Sequence, residues 1–453
     1  MLPGIWQRPW ALSALLCCSP LFAATSLPEA GFSELLRSST SFANREEAET
    51  AQQELWQRYL TSVHGDAPRY EQHRQRALHY GDKVMKFSLE LRGPKPVDGY
   101  PVYIALHGGG SAPAWVNDGQ WEHMKTYYRD SVDSGIYLAP RGVSDTWNLH
   151  FVEESYPLYD GLIENLIAYE GADPNRIYLL GFSAGGDGVY QVVPRMANRF
   201  AAANMSAGHH NGISFTNLFN TPFLLQVGER DNAFQRNRVT AENYLALTGL
   251  QYLAEGGYTH ELFMHANAWH NGWADNDPRG GQHPIIKDPR AWLNHNDRAT
   301  TTAETNGVHW LRNYVRSPRP ERLIWDLGTR AKRGTGWGGN YAGDVKLSEQ
   351  QNIFSWVSND TPPAPGARLE IRRIPGKNTI VIDQAKALTQ FRILLHRGDF
   401  DFSAPIRVLY QGQQIAEFHP EHRLQVMART LLESGDPSTI FDDEISVVIP
   451  AAE

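Results

Sequence analysis

Five residues, Gly181-Phe-Ser-Ala-Gly185, hold a serine between small neighbours at a spacing that chemistry can use. The run 176–180 before them reads as a buried strand, and the residues after them read as a helix. A chain that turns from strand to helix within one residue has room only for small side chains two positions to either side. Such a turn lifts the Ser183 hydroxyl clear of the backbone and points the helix N-terminus at it. Without that flanking context the pattern would be an ordinary glycine-rich strand–helix turn.

A serine hydroxyl is a poor nucleophile until a base takes its proton, and the base needs a group that fixes its tautomer. In sheets of this type the partners follow the serine in the order acid, then histidine, each on a loop after a strand. The acid is expected at Asp231, in Gly228-Glu-Arg-Asp231 after the strand that ends at Val227. Glu229 competes and reads more simply as a solvated turn residue. The base is expected at His270, in the glycine-containing loop that follows the strand ending near His265. His265 itself reads as a strand-end residue and His260 as a loop residue, while His283 and His295 lie too far along. An oxyanion needs two donors placed before reaction. The Ala184 amide is one, and Gly108 or Gly109 of His107-Gly-Gly-Gly110 is the other, since glycine allows close approach and positive φ.

The elements that must position these residues alternate. Strands are expected at 84–91, 101–106, 135–139, 176–180, 201–206, 223–227 and 261–265, with helices at 159–170, 184–200 and 237–255. That alternation implies an α/β fold, a mostly parallel sheet with helices on both faces. Residues 261–265 read as its last strand, and 275–307 read as loop. Before the sheet, residues 25–83 read as a helical extension, with a lid or pro-segment as the sharper alternative. After Ser317-Pro-Arg-Pro320, residues 321–453 read as a separable β-rich domain, most simply a sandwich, with one helix near 424–432.

The chain has 453 residues and a formal net charge of −8, which argues against a nucleic-acid partner. Residues 1–24 resemble a secretory leader: Arg8, a short apolar stretch, then Leu21-Phe-Ala-Ala24 for cleavage. Cys17 and Cys18 are the only cysteines and fall inside it, so the mature chain is expected to hold together without a disulfide. Leu16 stands where a lipoprotein signal carries a small residue, which argues against a lipid anchor. No later stretch is apolar for long enough to span a bilayer.

Taken in chain order, His107-Gly-Gly-Gly110, Gly181-Phe-Ser-Ala-Gly185, Asp231 and His270 resemble the α/β-hydrolase superfamily over residues 84–316. The likeness is to secreted esterases around the polyhydroxybutyrate depolymerase-like and dienelactone hydrolase-like proteins and to prolyl-oligopeptidase-type catalytic domains. It implies an exported serine hydrolase acting on a small or polymeric ester, with a serine peptidase as the alternative enzyme. A non-catalytic binding protein on the same fold is the alternative of another class. No cofactor and no metal are called for; His209-His210 and Asp275-Asn-Asp277 point to a metal only faintly, because Arg279 stands where a calcium loop needs oxygen. Trp115, Trp121, Trp147, Trp269 and Trp273 fall in loops expected around the site mouth. Substrate and oligomeric state are not legible.

Overall fold

A computed structural model describes residues 31–327, 352–360, 364 and 366–450. The expected leader and both cysteines lie outside the described residues. Helix α1 (Arg45–Gly65) starts at Asn44, whose Oδ1 accepts the Glu47 amide at 3.0 Å. Glu47 Oε2 in turn accepts the Ala43 amide at 3.0 Å, so the cap satisfies donors that a helix start leaves orphaned. Ala48, Ala51, Leu55, Tyr59 and Val63 recur every three or four residues and form its buried face. The extension is not wholly helical: after α2 (Ala67–Arg74) it forms β1 (Ala77–Tyr80), which pairs with β2 (Lys83–Arg92).

The chain then runs β3 (Tyr100–Leu106), α3 (Ala114–Tyr127), β4 (Gly135–Pro140), α4 (Ser155–Asn165), β5 (Ala172–Phe182) and α5 (Ala184–Val192). It continues through β6 (Ala202–Ser206), β7 (Phe223–Gly228), α6 (Arg236–Leu253), β8 (His260–His265), β9 (Gln282–Ile286), α7 (Pro289–His295) and β10 (Thr300–Glu304). One ten-stranded sheet results, ordered β10-β9-β8-β7-β6-β5-β3-β4-β2-β1. Strands β3 to β8 are mutually parallel. Both faces are covered, so the central strands are near-continuous apolar runs; Val102, Ile104, Leu179, Leu180, Leu224 and Leu225 are all fully buried. The chain leaves β3 towards β4, then crosses back past β3 to β5. Ligands of open α/β sheets bind at such a reversal, beyond the carboxyl ends of the strands. The loops after β3 and β5 therefore meet at that crevice.

The segment read as loop contains two strands and a helix. β9 and β10 pair antiparallel and extend the sheet beyond β8, and Asp288 caps α7 with Pro289 in its first turn. The reason for the misreading is physical. β10 is the edge strand and β9 the strand next to it, with Ile285 and Ile286 their only buried residues, so they carry no apolar alternation.

Among the described residues from Arg322 onward two sheets face each other, one five-stranded and one four-stranded, around Leu369, Ile371, Ile393, Val408 and Ile445. This β-rich region is built into the rest of the molecule. Helix α8 (Leu424–Ser434) packs Leu424, Met427 and Leu431 against Leu55, Tyr59 and Val63 of α1. Ser41–Phe42 pairs antiparallel with His422–Arg423. The buried Arg316 guanidinium, just after the ten-stranded sheet, pairs with the buried Asp436 carboxylate. A freely detachable tail does not fit these contacts. Among the described residues no helix is long and apolar enough to cross a membrane.

Candidate active site

Ser183 sits between β5 and α5 at φ 59° and ψ −121°, a left-handed conformation that costs a non-glycine residue about 1–3 kcal/mol. The flanking glycines are sterically required. A Cβ on Gly181 would lie 2.2 Å from the Gly185 carbonyl oxygen, and one on Gly185 would lie 2.1 Å from that of Leu106. The Ser183 amide donates to the Ser206 carbonyl at 2.9 Å, which ties the elbow to the end of β6.

His270 Nε2 lies 3.0 Å from Ser183 Oγ, and His270 Nδ1 lies 2.7 Å from Asp231 Oδ2. With Nδ1–H donating to the carboxylate, Nε2 is left to accept the serine proton. Asp231 is 2% exposed, and Arg236 Nη1 stands 3.8 Å from its other oxygen. The Phe182 ring lies 5.5 Å from both the His270 and Trp273 rings, walling one side.

The His107–Gly110 loop runs beside the serine; a Cβ on Gly108 would lie 3.3 Å from Ser183 Cβ. Gly109 and Gly110 have φ of +105° and +85°. The Gly110 amide is committed to Asn117 Oδ1 at 2.9 Å. Among the described residues the amides of Gly108, Gly109 and Ala184 have no protein acceptor. His107 holds the loop from below. Its Nε2 accepts the Gly142 amide at 3.0 Å, so its Nδ1–H donates to the Gly108 carbonyl at 2.6 Å. Burial presses its pKa down to about 4, keeping that neutral tautomer. His150 donates to the His107 carbonyl at 2.8 Å.

The other candidates fall elsewhere. His265 is buried, with Nε2 2.9 Å from Gln226 Oε1, and burial holds its pKa down at about 3. Glu229 is no solvated turn residue: it is 4% exposed and accepts the Asn267 amide at 2.7 Å, with Arg298 Nε also at 2.7 Å. It fastens the acid loop to the base loop. The His209 amide donates to Asp187 Oδ1 at 2.7 Å, and the His209 ring bonds Asn211, so this pair closes a loop onto α5. Among the described residues no group of three or more His, Cys, Asp or Glu side chains could hold a metal ion. Trp115 and Trp121 lie on helix α3, not in loops, because the run 114–127 winds into a helix after the glycine loop. Trp121 donates to the Ala139 carbonyl at 2.8 Å, Trp273 donates to the His270 carbonyl at 3.1 Å, and Trp147 packs on Phe234. Trp115 and Trp269 are 75% and 60% exposed. Sequence reasoning missed Asn117 and His150, whose roles depend on contacts across loops and leave no local signal.

The strand order, the elbow after β5, the carboxylate after β7 and the histidine after β8 define an α/β-hydrolase fold. No protein-family model matches the sequence, and no curated protein matches it. Solved structures are similar at low identity. A thermostable esterase is 20% identical over 53% of this chain and 63% of its own, less than two thirds, with TM-score 0.34. Poly(aspartic acid) hydrolase-1 from Sphingomonas sp. KT-1 is 12% identical over 43% of this chain and 92% of its own, with TM-score 0.34. Acetyl xylan esterase from Aspergillus awamori is 13% identical over 36% of this chain and 75% of its own, with TM-score 0.28.

Proposed function

We propose that the protein is a serine hydrolase that cleaves carboxylic esters through an acyl-enzyme. The observation that carries this reading is His270, 3.0 Å from the Ser183 hydroxyl and 2.7 Å from the buried Asp231 carboxylate. Ser183 Oγ attacks the ester carbonyl carbon while its proton passes to His270 Nε2. Asp231 stabilises the imidazolium, and the Ala184 amide with that of Gly108 or Gly109 receives the oxyanion. The tetrahedral centre collapses, the C–O bond breaks, and His270 returns the proton to the departing alcohol. Water then repeats the sequence on the acyl-enzyme, giving the acid and free Ser183. None of these steps calls for a cofactor. In this reading residues 84–316 form the catalytic unit, and the leader at 1–24 directs export.

A fluorophosphonate probe tests the reading. It should label the wild-type chain once and leave the Ser183→Ala variant unlabelled at unchanged circular dichroism. Equal labelling of both proteins would overturn it. N-terminal sequencing of protein recovered outside the cytoplasm should begin near Ala24 or Thr25; an intact Met1 there would refute the leader.

A further inference from the structure

The mechanism above makes no use of the buried carboxylate five residues past His270. Asp275 has no exposed surface. Its Oδ1 accepts the Tyr127 hydroxyl at 2.7 Å, and its Oδ2 accepts the Tyr128 hydroxyl at 2.7 Å and the Ser206 hydroxyl at 2.8 Å. Three hydroxyl donors converge on one fully buried side chain. Burial still pushes the carboxyl above its usual range, so it sits where its own solvation is poor.

Those partners end two elements, α3 and β6, while Asp275 lies on the loop after β8. Tyr127 and Tyr128 close α3, the helix whose Asn117 fixes the Gly110 amide beside those of Gly108 and Gly109. Ser206 closes β6, and its carbonyl accepts the Ser183 amide at 2.9 Å. Asp275 itself belongs to the loop that carries His270, and Trp273 on that loop donates to the His270 carbonyl. The same loop is pinned by neighbours of Asp275. The Thr305 hydroxyl bonds the Ala274 carbonyl at 2.7 Å, and the Gly307 amide bonds the Asp275 carbonyl at 2.8 Å. The Phe182 ring fills the space between, 5.7 Å from Tyr127 and 5.5 Å from His270.

We propose that Asp275 is a positioning residue that locks the His270 loop, the Ser183 elbow and the oxyanion-side helix into one register through Tyr127, Tyr128 and Ser206. It touches neither substrate nor the reacting atoms. Its effect on rate comes from holding His270 Nε2 within proton-transfer distance of Ser183 Oγ. The inference rests on the serine-hydrolase reading and adds to it a residue outside the Ser183–His270–Asp231 set.

A misplacement of about 1 Å in a catalytic group costs on the order of 10²-fold in rate. Asp275→Asn keeps the shape but puts an NH₂ where a hydroxyl now donates, so it should lower kcat on a small soluble ester by about 10²-fold. KM should stay within about twofold, because the substrate-binding surface is untouched. The rate of fluorophosphonate labelling should fall in parallel with kcat. Tyr127→Phe removes one donor without adding a clash, and should give a smaller loss in the same two readouts while folding normally. Ser183→Ala serves as the reference. If it retains turnover, the serine-hydrolase reading fails and the positioning role, which is defined toward Ser183, falls with it. If it is inactive while folded Asp275→Asn and Tyr127→Phe both keep wild-type kcat and labelling rate, the positioning role is refuted. A rise in KM with kcat unchanged would refute it equally.

Discussion

Replacing Gly185 by alanine is the sharpest steric test of the elbow. The new Cβ would meet the Leu106 carbonyl oxygen at 2.1 Å, the Leu106 carbonyl carbon at 2.6 Å and the His107 oxygen at 2.9 Å. All three are backbone atoms of β3 and the loop it feeds, so no side chain can swing aside. Restoring ordinary contact requires α5 and β3 to part by roughly 1 Å, at an overpacking cost of about 1–3 kcal/mol. The same displacement separates Ser183 from the 108–109 amides. A shift of that size costs on the order of 10²-fold in kcat, or about 2.7 kcal/mol of barrier. Gly119 is the control. It lies within α3, and a Cβ there meets nothing within 4 Å, so Gly119→Ala should stabilise by about 0.5–1 kcal/mol and leave kcat unchanged. The assay is steady-state turnover of a small soluble ester beside thermal unfolding of both variants. Gly185→Ala with kcat within threefold of wild type and an unchanged Tm would refute the argument that the elbow is sterically fixed.

Replacing His270 by alanine should lower kcat by about 10³-fold or more, whereas folded His265→Gln should stay within a few-fold; reversed losses would identify the wrong base. His265 also gives a pH prediction. Its folded pKa of about 3 lies below the unfolded value of about 6.5, so its contribution is full above pH 6.5 and is lost as pH falls towards 3. The Tm advantage of wild type over His265→Gln should therefore shrink between pH 7 and pH 5, and a constant or growing advantage would contradict a buried neutral imidazole. Leu55→Ala opens the fully buried contact between α1 and α8 and should cost about 2–5 kcal/mol in urea unfolding, with kcat of the folded protein retained. A chain ending at Arg319 bares Leu55, Tyr59 and Val63 and should aggregate; a soluble, monomeric product of full Tm would show that the β-rich region is dispensable to the fold.

Local chemistry was enough to read the central strands and to name Ser183, Asp231 and His270, which the fold brings within hydrogen-bond distance of one another. Buried parallel strands are apolar along their whole length, so β3, β5 and β7 stand out in sequence, and the candidate residues follow directly after them. The tight elbow leaves its own signature, since Gly181 and Gly185 are forced by backbone contacts within a few residues and from the adjacent strand. Strands β9 and β10 left no such pattern, because they bury little; β10 pairs with β9, and β9 with β8. Tertiary structure alone decided what the polar residues do. Glu229 looks like any turn carboxylate until Asn267 and Arg298 reach it from two other loops. Asp275 looks like half of a weak metal motif until two tyrosines and a serine, 69 to 148 residues away in sequence, close over it. A buried polar group is defined by the partners that satisfy it, and those partners are brought together only by the fold.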